Sequence, residues 1–348
     1  MLESILQQYG LAGEPAPLVI PLQEGLINTT WKLVKGETSF IVQKINQEVF
    51  RHPEDIDNNI ALIAQHLENA CPDYFFAAPI ATPDGRSMVH DPVQGYFRVF
   101  PFVKGSHSKN IVQAPEEAYE AARQFGQFTA VLRDFDSSRL VATIPAFHDL
   151  GLRYQQFERA VRLGNQERVK ETASMIRQLR SNSHIVDDYK RIQKDPSCRL
   201  RVTHHDTKIS NVLFDAHNKG ICVIDLDTVM PGYFISDVGD MMRTYLCPVS
   251  EEEADTAKIE VRRAFYEAIA EGYLSVMADE LTATEKHYFL YAGKFMIYMQ
   301  ALRFLADYLS NDVYYQSSYP GQNLVRAGNQ AVLLDQLSDM EVSLRSAV

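Results

Sequence analysis

Two short stretches carry side chains that could do chemistry together. The first is Val202-Thr203-His204-His205-Asp206-Thr207-Lys208-Ile209-Ser210-Asn211; the second is Val223-Ile224-Asp225-Leu226-Asp227. Phosphoryl transfer from a nucleotide needs a carboxylate to orient the attacking hydroxyl. It also needs an amide oxygen and a second carboxylate to hold Mg²⁺ against the phosphates. The spacing His-x-Asp-x-x-x-x-Asn offers the first two from one loop, at Asp206 and Asn211. Asp225 follows Asn211 by 225 − 211 = 14 residues. That interval holds a strand from Asn211 to Phe214, a turn over 215–220 and a returning strand over 221–224, so Asp225 comes back beside Asn211. Acids that merely cap turns explain Asp215, but not three magnesium-competent groups at adjoining strand ends. His204 is expected to brace the loop by hydrogen bonding rather than to titrate.

The pattern resembles the catalytic loop of the protein-kinase-like superfamily, in its small-molecule branch of aminoglycoside- and choline-kinase-type enzymes. The wording HHDTKISNVLFD…VIDLDTVMPG is most similar to the N-acetylhexosamine 1-kinases, which phosphorylate the anomeric hydroxyl of N-acetylglucosamine or N-acetylgalactosamine, and the similarity runs the length of the chain. It implies an α+β, bilobal protein-kinase-like fold. Residues 1–103 would form a small antiparallel β-sheet lobe with one helix that binds the nucleotide. Residues 104–348 would form a larger, mainly helical lobe carrying the catalytic β-hairpin and the substrate. ATP is the implied phosphoryl donor and Mg²⁺ the implied metal, held by Asn211 and Asp225, with Asp227 aiding a second ion. Asp206 would orient the acceptor, and Lys208 would neutralise charge on the moving phosphoryl group.

The elements before the motif must then supply a nucleotide site. Strands over 16–22 and 29–34 are joined through Gln23-Glu24-Gly25-Leu26-Ile27-Asn28, a loop with one glycine that could cover phosphates or be an ordinary turn. The resemblance puts Gly25 on the nucleotide and Asn28 at the mouth of the site, against phosphate or sugar. Lys44 ends the next strand; such a lysine is usually a solvated outward residue, but here it matches the superfamily's lysine on the α- and β-phosphates. Its acidic partner is open, because the helix opened by Pro53 carries Asn58, not glutamate, a turn in. The strand from Gly95 to Val103 runs into Lys104-Gly105-Ser106-His107-Ser108, a linker beside which backbone groups of Pro101, Phe102 and Val103 would meet adenine.

The chain beyond is helical, with apolar residues recurring at Ala118, Ala122, Phe125, Thr129 and Leu132, and again at Phe289, Phe295, Met296, Met299 and Leu302. Only Thr228 to Ser236 separate Asp227 from the next helix, near Asp237, and no Ala-Pro-Glu anchor follows, so no protein substrate is expected. Asp237 and Asp240 could hold the catalytic loop, but Asp-x-x-Asp at a helix start favours capping. Ser250-Glu251-Glu252-Glu253-Ala254-Asp255 reads as an N-cap followed by first-turn acids. Arg303 and Asp307, four apart, make a common surface pair. The resemblance instead turns Arg303 toward the sugar and the transferred phosphate; Tyr314, Tyr315 and Tyr319 could stack on a sugar ring, with Tyr315 the candidate for the substrate, or simply rim a core. Tyr314, Tyr315 and Tyr319 could also cage a quaternary ammonium, which keeps choline, homoserine or aminoglycoside acceptors as alternatives. A non-catalytic nucleotide scaffold is the third reading.

Composition sets the outer bounds. A chain of 348 residues exceeds one ordinary core. A net charge of −11 without Lys/Arg clusters argues against nucleic acid, and no stretch approaches the roughly 20 apolar residues of a membrane span. The N-terminus lacks a basic segment before an apolar run, and the four cysteines show no paired spacing, so a reducing cytoplasmic setting with free thiols is expected.

Overall fold

Strand alternation and the helix that covers one face decide which side chains of the sheet point toward the rest of the chain. The computed structural model describes residues 2–22, 27–315 and 317–345, and its fold is α+β. After α1 (Glu3–Gln8) come β1 (Leu18–Leu22), β2 (Thr29–Lys35), β3 (Thr38–Lys44), α2 (Pro53–Ala70), β4 (Met88–Asp91) and β5 (Gly95–Pro101). The strands form one antiparallel sheet in the order β1-β2-β3-β5-β4. Leu33, Val42, Phe97 and Val99 bury one face against Ile5 and Leu6 of α1 and Tyr9 just after it. The register pairs Val42 with Val99, Gln43 with Arg98 and Lys44 with Phe97. Paired residues share a face and successive ones alternate, so Lys44 goes with the α1 side while Gln43 and Arg98 face the other way.

Pro53 opens α2, whose Ile56, Ile60, Ile63 and Leu67 form a buried stripe at helical spacing. Between them Asn59, buried, donates to the carbonyls of Val141 (2.8 Å) and Val229 (3.1 Å) and accepts from Val141 N–H (2.9 Å). This amide ties α2 to the segment that follows the catalytic hairpin, whereas Asn58 is exposed.

The helical part comprises α3 (Pro115–Val131), α4 (Leu150–Leu163), α5 (Gln166–Glu171), α6 (Ala173–Ser181), α7 (His184–Lys194), α8 (Phe234–Tyr245), α9 (Arg263–Met277), α10 (Ala283–His287), α11 (Phe289–Leu309), α12 (Gln322–Asp339) and α13 (Glu341–Leu344). Inserted among them are β6 (Arg201–Thr203), β7 (Val212–Phe214), β8 (Gly220–Val223) and β9 (Met230–Gly232). Helix α11 is buried almost all round and forms the axis against which α4, α8 and α12 pack. Gly239 lets α8 lie directly on it, since a methyl group there would overlap the Ala292 carbonyl. No helix of the described residues is long and apolar enough to cross a membrane, and all four cysteines are free thiols.

Residues 78–82 form no strand, although Ile80 N–H bonds the Val99 carbonyl. Residues 166–194 are divided among α5, α6 and α7. One expected element differs. The acidic run after Ser250 opens no helix; Ser250 Oγ accepts from Glu252 N–H in a local turn instead.

Candidate active site

The catalytic loop is suspended between two small antiparallel pairs, β6 with β9 and β7 with β8. Val212 pairs with Val223, and Ile224 N–H donates to the Asn211 carbonyl at 2.9 Å, so Asp225 returns beside Asn211. His205 at φ 65° and Asp225 at φ 61° are among the non-glycine residues that hold left-handed backbone. Non-glycine residues rarely adopt it, and surrounding bonds must hold it in place. For His205 the support is visible. Asp237 accepts from His204 N–H (2.9 Å) and His205 N–H (2.7 Å), and Asp240 accepts from Thr207 N–H (2.8 Å). Tyr245 OH donates to the Thr207 carbonyl, and Thr207 Oγ1 donates to that of Asp237 (2.8 Å). The capping reading of Asp237 and Asp240 is therefore corrected. Helix α8 begins at Phe234 without a side-chain cap, which puts both acids inside the helix and beneath the loop. Burial, opposed by the two amide donors, pushes the Asp237 carboxyl up to about 7.

Within the loop, Asp206 Oδ2 accepts from Asn211 Nδ2 at 3.0 Å and lies 3.2 Å from Lys208 Nζ. Asn211 Nδ2 also donates to the Asp206 carbonyl (2.8 Å), so both polar hydrogens have work and the Asn211 side-chain oxygen is left for a ligand. Burial disfavours the Lys208 charge, but Asp206, Asp240 and Asp225 outweigh it and raise its pKa. Enclosure, then Asp227 and Asp206, push the Asp225 carboxyl up to about 7, although this side chain opens to the cleft. His204 Nε2 meets the Ile224 carbonyl at 2.9 Å, and burial lowers the pKa of His204 and takes His205 down to about 4. Both rings are neutral braces.

No set of three His, Cys, Asp or Glu side chains among the described residues could cage a metal. Asn211 and Asp225, set side by side by the hairpin backbone, carry an amide oxygen and a carboxylate, hard donors of the kind Mg²⁺ takes together with water and phosphate. Asp227 does not join them. Its carboxylate is buried in an ion pair with Arg98 and accepts from Asn28 Nδ2 at 2.7 Å, while its carbonyl accepts from Thr143 Oγ1 (2.7 Å). Asn28 in turn accepts from Asn46 N–H (3.0 Å), so both residues serve a bridge between the sheet and the catalytic hairpin.

Lys44 is not brought to the cleft either, because strand alternation sends it to the face shared with Val42 and Phe97. The opposite face carries Lys32, over the Phe102 ring, and Arg98, fully buried, whose Nε and Nη2 donate to Gln43 Oε1 at 3.1 and 2.9 Å. Arg98 went unnoticed in the sequence, yet a charge inside an apolar strand is a signal, since a buried guanidinium requires a partner. At the end of β5, Pro101 and Phe102 still belong to the sheet, with Phe102 N–H on the Ser39 carbonyl (3.1 Å). Val103 accepts from Ser106, and its own N–H has no partner among the described residues. Gly25 lies outside the described residues.

Comparison with known proteins now bears on this geometry. The phosphotransferase enzyme family matches residues 19–281. The chain belongs to that family. The aminoglycoside phosphotransferase from Alicyclobacillus acidocaldarius is similar in structure, with a TM-score of 0.64 at 15% identity over 98% of this chain and 94% of that one. So are the microcompartment-associated aminopropanol kinase (0.61, 17%, 99% and 97%) and choline kinase from Cryptosporidium parvum (0.59, 14%, 99% and 98%). These identities speak for a shared protein-kinase-like fold alone. A curated protein, exocyst complex component 5 of Rattus norvegicus, is 27% identical over 156 residues, 42% of this chain. The chain spans about a fifth of that protein's length, and the match carries no chemistry here.

Phe147 and His148 pack against the loop, their ring centres 6.4 and 5.2 Å from that of His205. The Arg303 guanidinium lies 5.8 Å from the Phe147 ring and 5.3 Å from that of Tyr315, and borders a cavity of about 750 Å³. The expected Arg303–Asp307 pair is absent. Asp307 is buried and accepts from the Tyr314 and Tyr315 N–H groups (2.8 and 2.9 Å) and from Asn323 (3.1 Å), while Arg303 bonds Gln300 (3.3 Å). Glu251 also has another task than capping. It ion-pairs with Arg243 (2.8 Å) and Arg326, and Arg243 pairs with Asp240 (2.9 Å), which carries the support of the catalytic loop out to α12.

Proposed function

We propose that this phosphotransferase moves the γ-phosphoryl group of ATP to the anomeric hydroxyl of an N-acetylhexosamine. Asp206 orients that hydroxyl and accepts its proton late, because the transition state is loose and early deprotonation is not required. Lys208, 3.2 Å from it, balances charge as the phosphoryl group transfers. Asn211 and Asp225 would hold Mg²⁺, which neutralises phosphate charge when bound. Val103 N–H receives adenine, and Arg303 and Tyr315 receive the sugar.

The observation that favours a sugar over an amine is the sign of the acceptor cavity. Its lining holds Arg153, Arg159 and Arg303, and its single carboxylate, Asp307, is already occupied by three donors. Choline, ethanolamine, aminopropanol and aminoglycoside acceptors are cations that this lining repels. Tyr314 and Tyr315 form no ammonium cage either, since Arg303 already takes their ring faces, 5.9 and 5.3 Å away. ADP release should therefore appear with N-acetylglucosamine or N-acetylgalactosamine and not with choline, ethanolamine, homoserine or an aminoglycoside. Turnover on an amine with none on either sugar would overturn the assignment.

A second expectation concerns pH. Asp225 must be ionised to ligate a cation, and its carboxyl sits near 7 in the free protein. Affinity for Mg·ATP should fall as pH drops below about 7, by up to about tenfold per unit. Calorimetric titration of ATP at constant Mg²⁺ between about pH 5.5 and 8 checks this, and a flat profile would remove Asp225 from the metal.

A further inference from the structure

The cavity between α4 and the C-terminal end of α11 is more basic than a neutral sugar requires. Arg153, Arg159 and Arg303 line it together with Gln156, Tyr314 and Tyr315, and none of the three arginines has a carboxylate partner among the described residues. Arg153 is fixed by the carbonyls of Ala146 and Phe147 (both 3.1 Å) and by Gln156 (3.1 Å), and its buried Nε has no partner. Among the described residues Arg303 has only Gln300 and the surrounding rings. Burial, and then the like charge of Arg303, lower the Arg153 pKa, so the two guanidinium groups oppose each other as they stand. An anion between them would relieve both the repulsion and the orphaned donor.

One transferred phosphoryl group does not account for the whole lining. Arg159 is six residues beyond Arg153 on α4, about 9 Å along the helix axis. The volume of 750 Å³ lies in the upper part of the range of about 300–1,000 Å³ for small-molecule sites, which leaves room for a substituent or a further ring.

We propose that this cavity seats an anionic substituent of the acceptor: a hexosamine bearing a sulfate, carboxylate or phosphate group away from the hydroxyl that is phosphorylated. The inference rests on the hexosamine reading and narrows it. Arg303, which reaches the catalytic loop through the Phe147 ring beside His205, and Arg153 would lie nearer the reacting hydroxyl, and Arg159 would supply the outer contact.

The test is calorimetric binding, without ATP, of N-acetylglucosamine and its 6-O-sulfate to the full chain and to the Arg159→Gln and Arg159→Lys variants. The sulfated sugar should bind the unaltered chain at least about tenfold more tightly, as a charged hydrogen-bonded pair provides. That ratio should collapse toward one in Arg159→Gln and partly recover in Arg159→Lys. Equal affinities in the unaltered chain, binding of neither sugar, or equal weakening of both by Arg159→Gln would each overturn the proposal. ADP release on the same two sugars separates it from its premise. Turnover of the neutral sugar without preference for the sulfated one leaves the kinase reading standing and removes the anion site. Tight sulfate-dependent binding with no turnover on either sugar does the reverse.

Discussion

Replacing Asp206 by asparagine should lower kcat by about 10²–10⁴-fold, the range a positioned acid or base contributes, while ATP affinity changes little. The side chain keeps its shape, but it can no longer take the acceptor's proton. It also meets Asn211 Nδ2, now 3.0 Å from Oδ2, and Lys208, 3.2 Å away, with an amide that balances no charge. The nucleotide contacts proposed at Val103, Asn211 and Asp225 do not pass through that carboxylate, so the loss falls on turnover rather than on binding. Single-turnover kinetics with fluorescent-nucleotide titration separates the two. Retained turnover would dismiss Asp206 from its role, and an equal loss of nucleotide affinity would show a collapsed loop instead.

The parts of this site that were readable in the sequence are those encoded within one hairpin. His204 to Asn211 is continuous, and a strand, a turn and a strand of ordinary length leave Asp225 one position past the Ile224–Asn211 hydrogen bond. The overall α+β plan was readable for a similar reason, since strand alternation and helical stripes are local patterns. What failed depended on partners far away in sequence. Lys44 and Gln43 are adjacent, and a shift of one residue exchanges the faces of a strand. The choice between them was made by Ile5 and Leu6 of α1 and Tyr9 just after it, which cover the Val42 side. Asp227 looked like a metal ligand until Arg98, 129 positions earlier by 227 − 98, arrived from β5. Arg303 and Asp307 have good spacing for a helix-surface pair, but Asp307 closes the loop at Tyr314 and Tyr315 instead. Glu251 was assigned to a helix start that does not form, and only the fold shows it joining Arg243 to Arg326.

Asp237 gives the sharpest contrast between the two kinds of reading. A helix cap replaced by alanine would cost about 1 kcal/mol and leave kcat alone. The structure requires more, because Asp237→Ala strands two buried backbone donors, His204 N–H and His205 N–H, at about 1–3 kcal/mol each. It also frees His205 from its left-handed backbone, and Asp206 follows immediately in the chain. Stability should therefore fall by about 2–6 kcal/mol, and kcat of the folded fraction should fall with it. Its pH dependence supplies a second signature. The Asp237 carboxyl is raised from 3.8 to about 7 on folding, so the native state holds a proton that the unfolded chain has released between those values. That contribution to stability is complete below about pH 4 and declines as pH rises toward 7, by about 4 kcal/mol at most. Denaturant unfolding at about pH 5 and 8 should show a larger alanine penalty at the lower pH, with the difference narrowing as the unaltered chain is forced to bury a charge. A pH-independent penalty near 1 kcal/mol with normal turnover would return Asp237 to the helix end and leave His205 without its anchor.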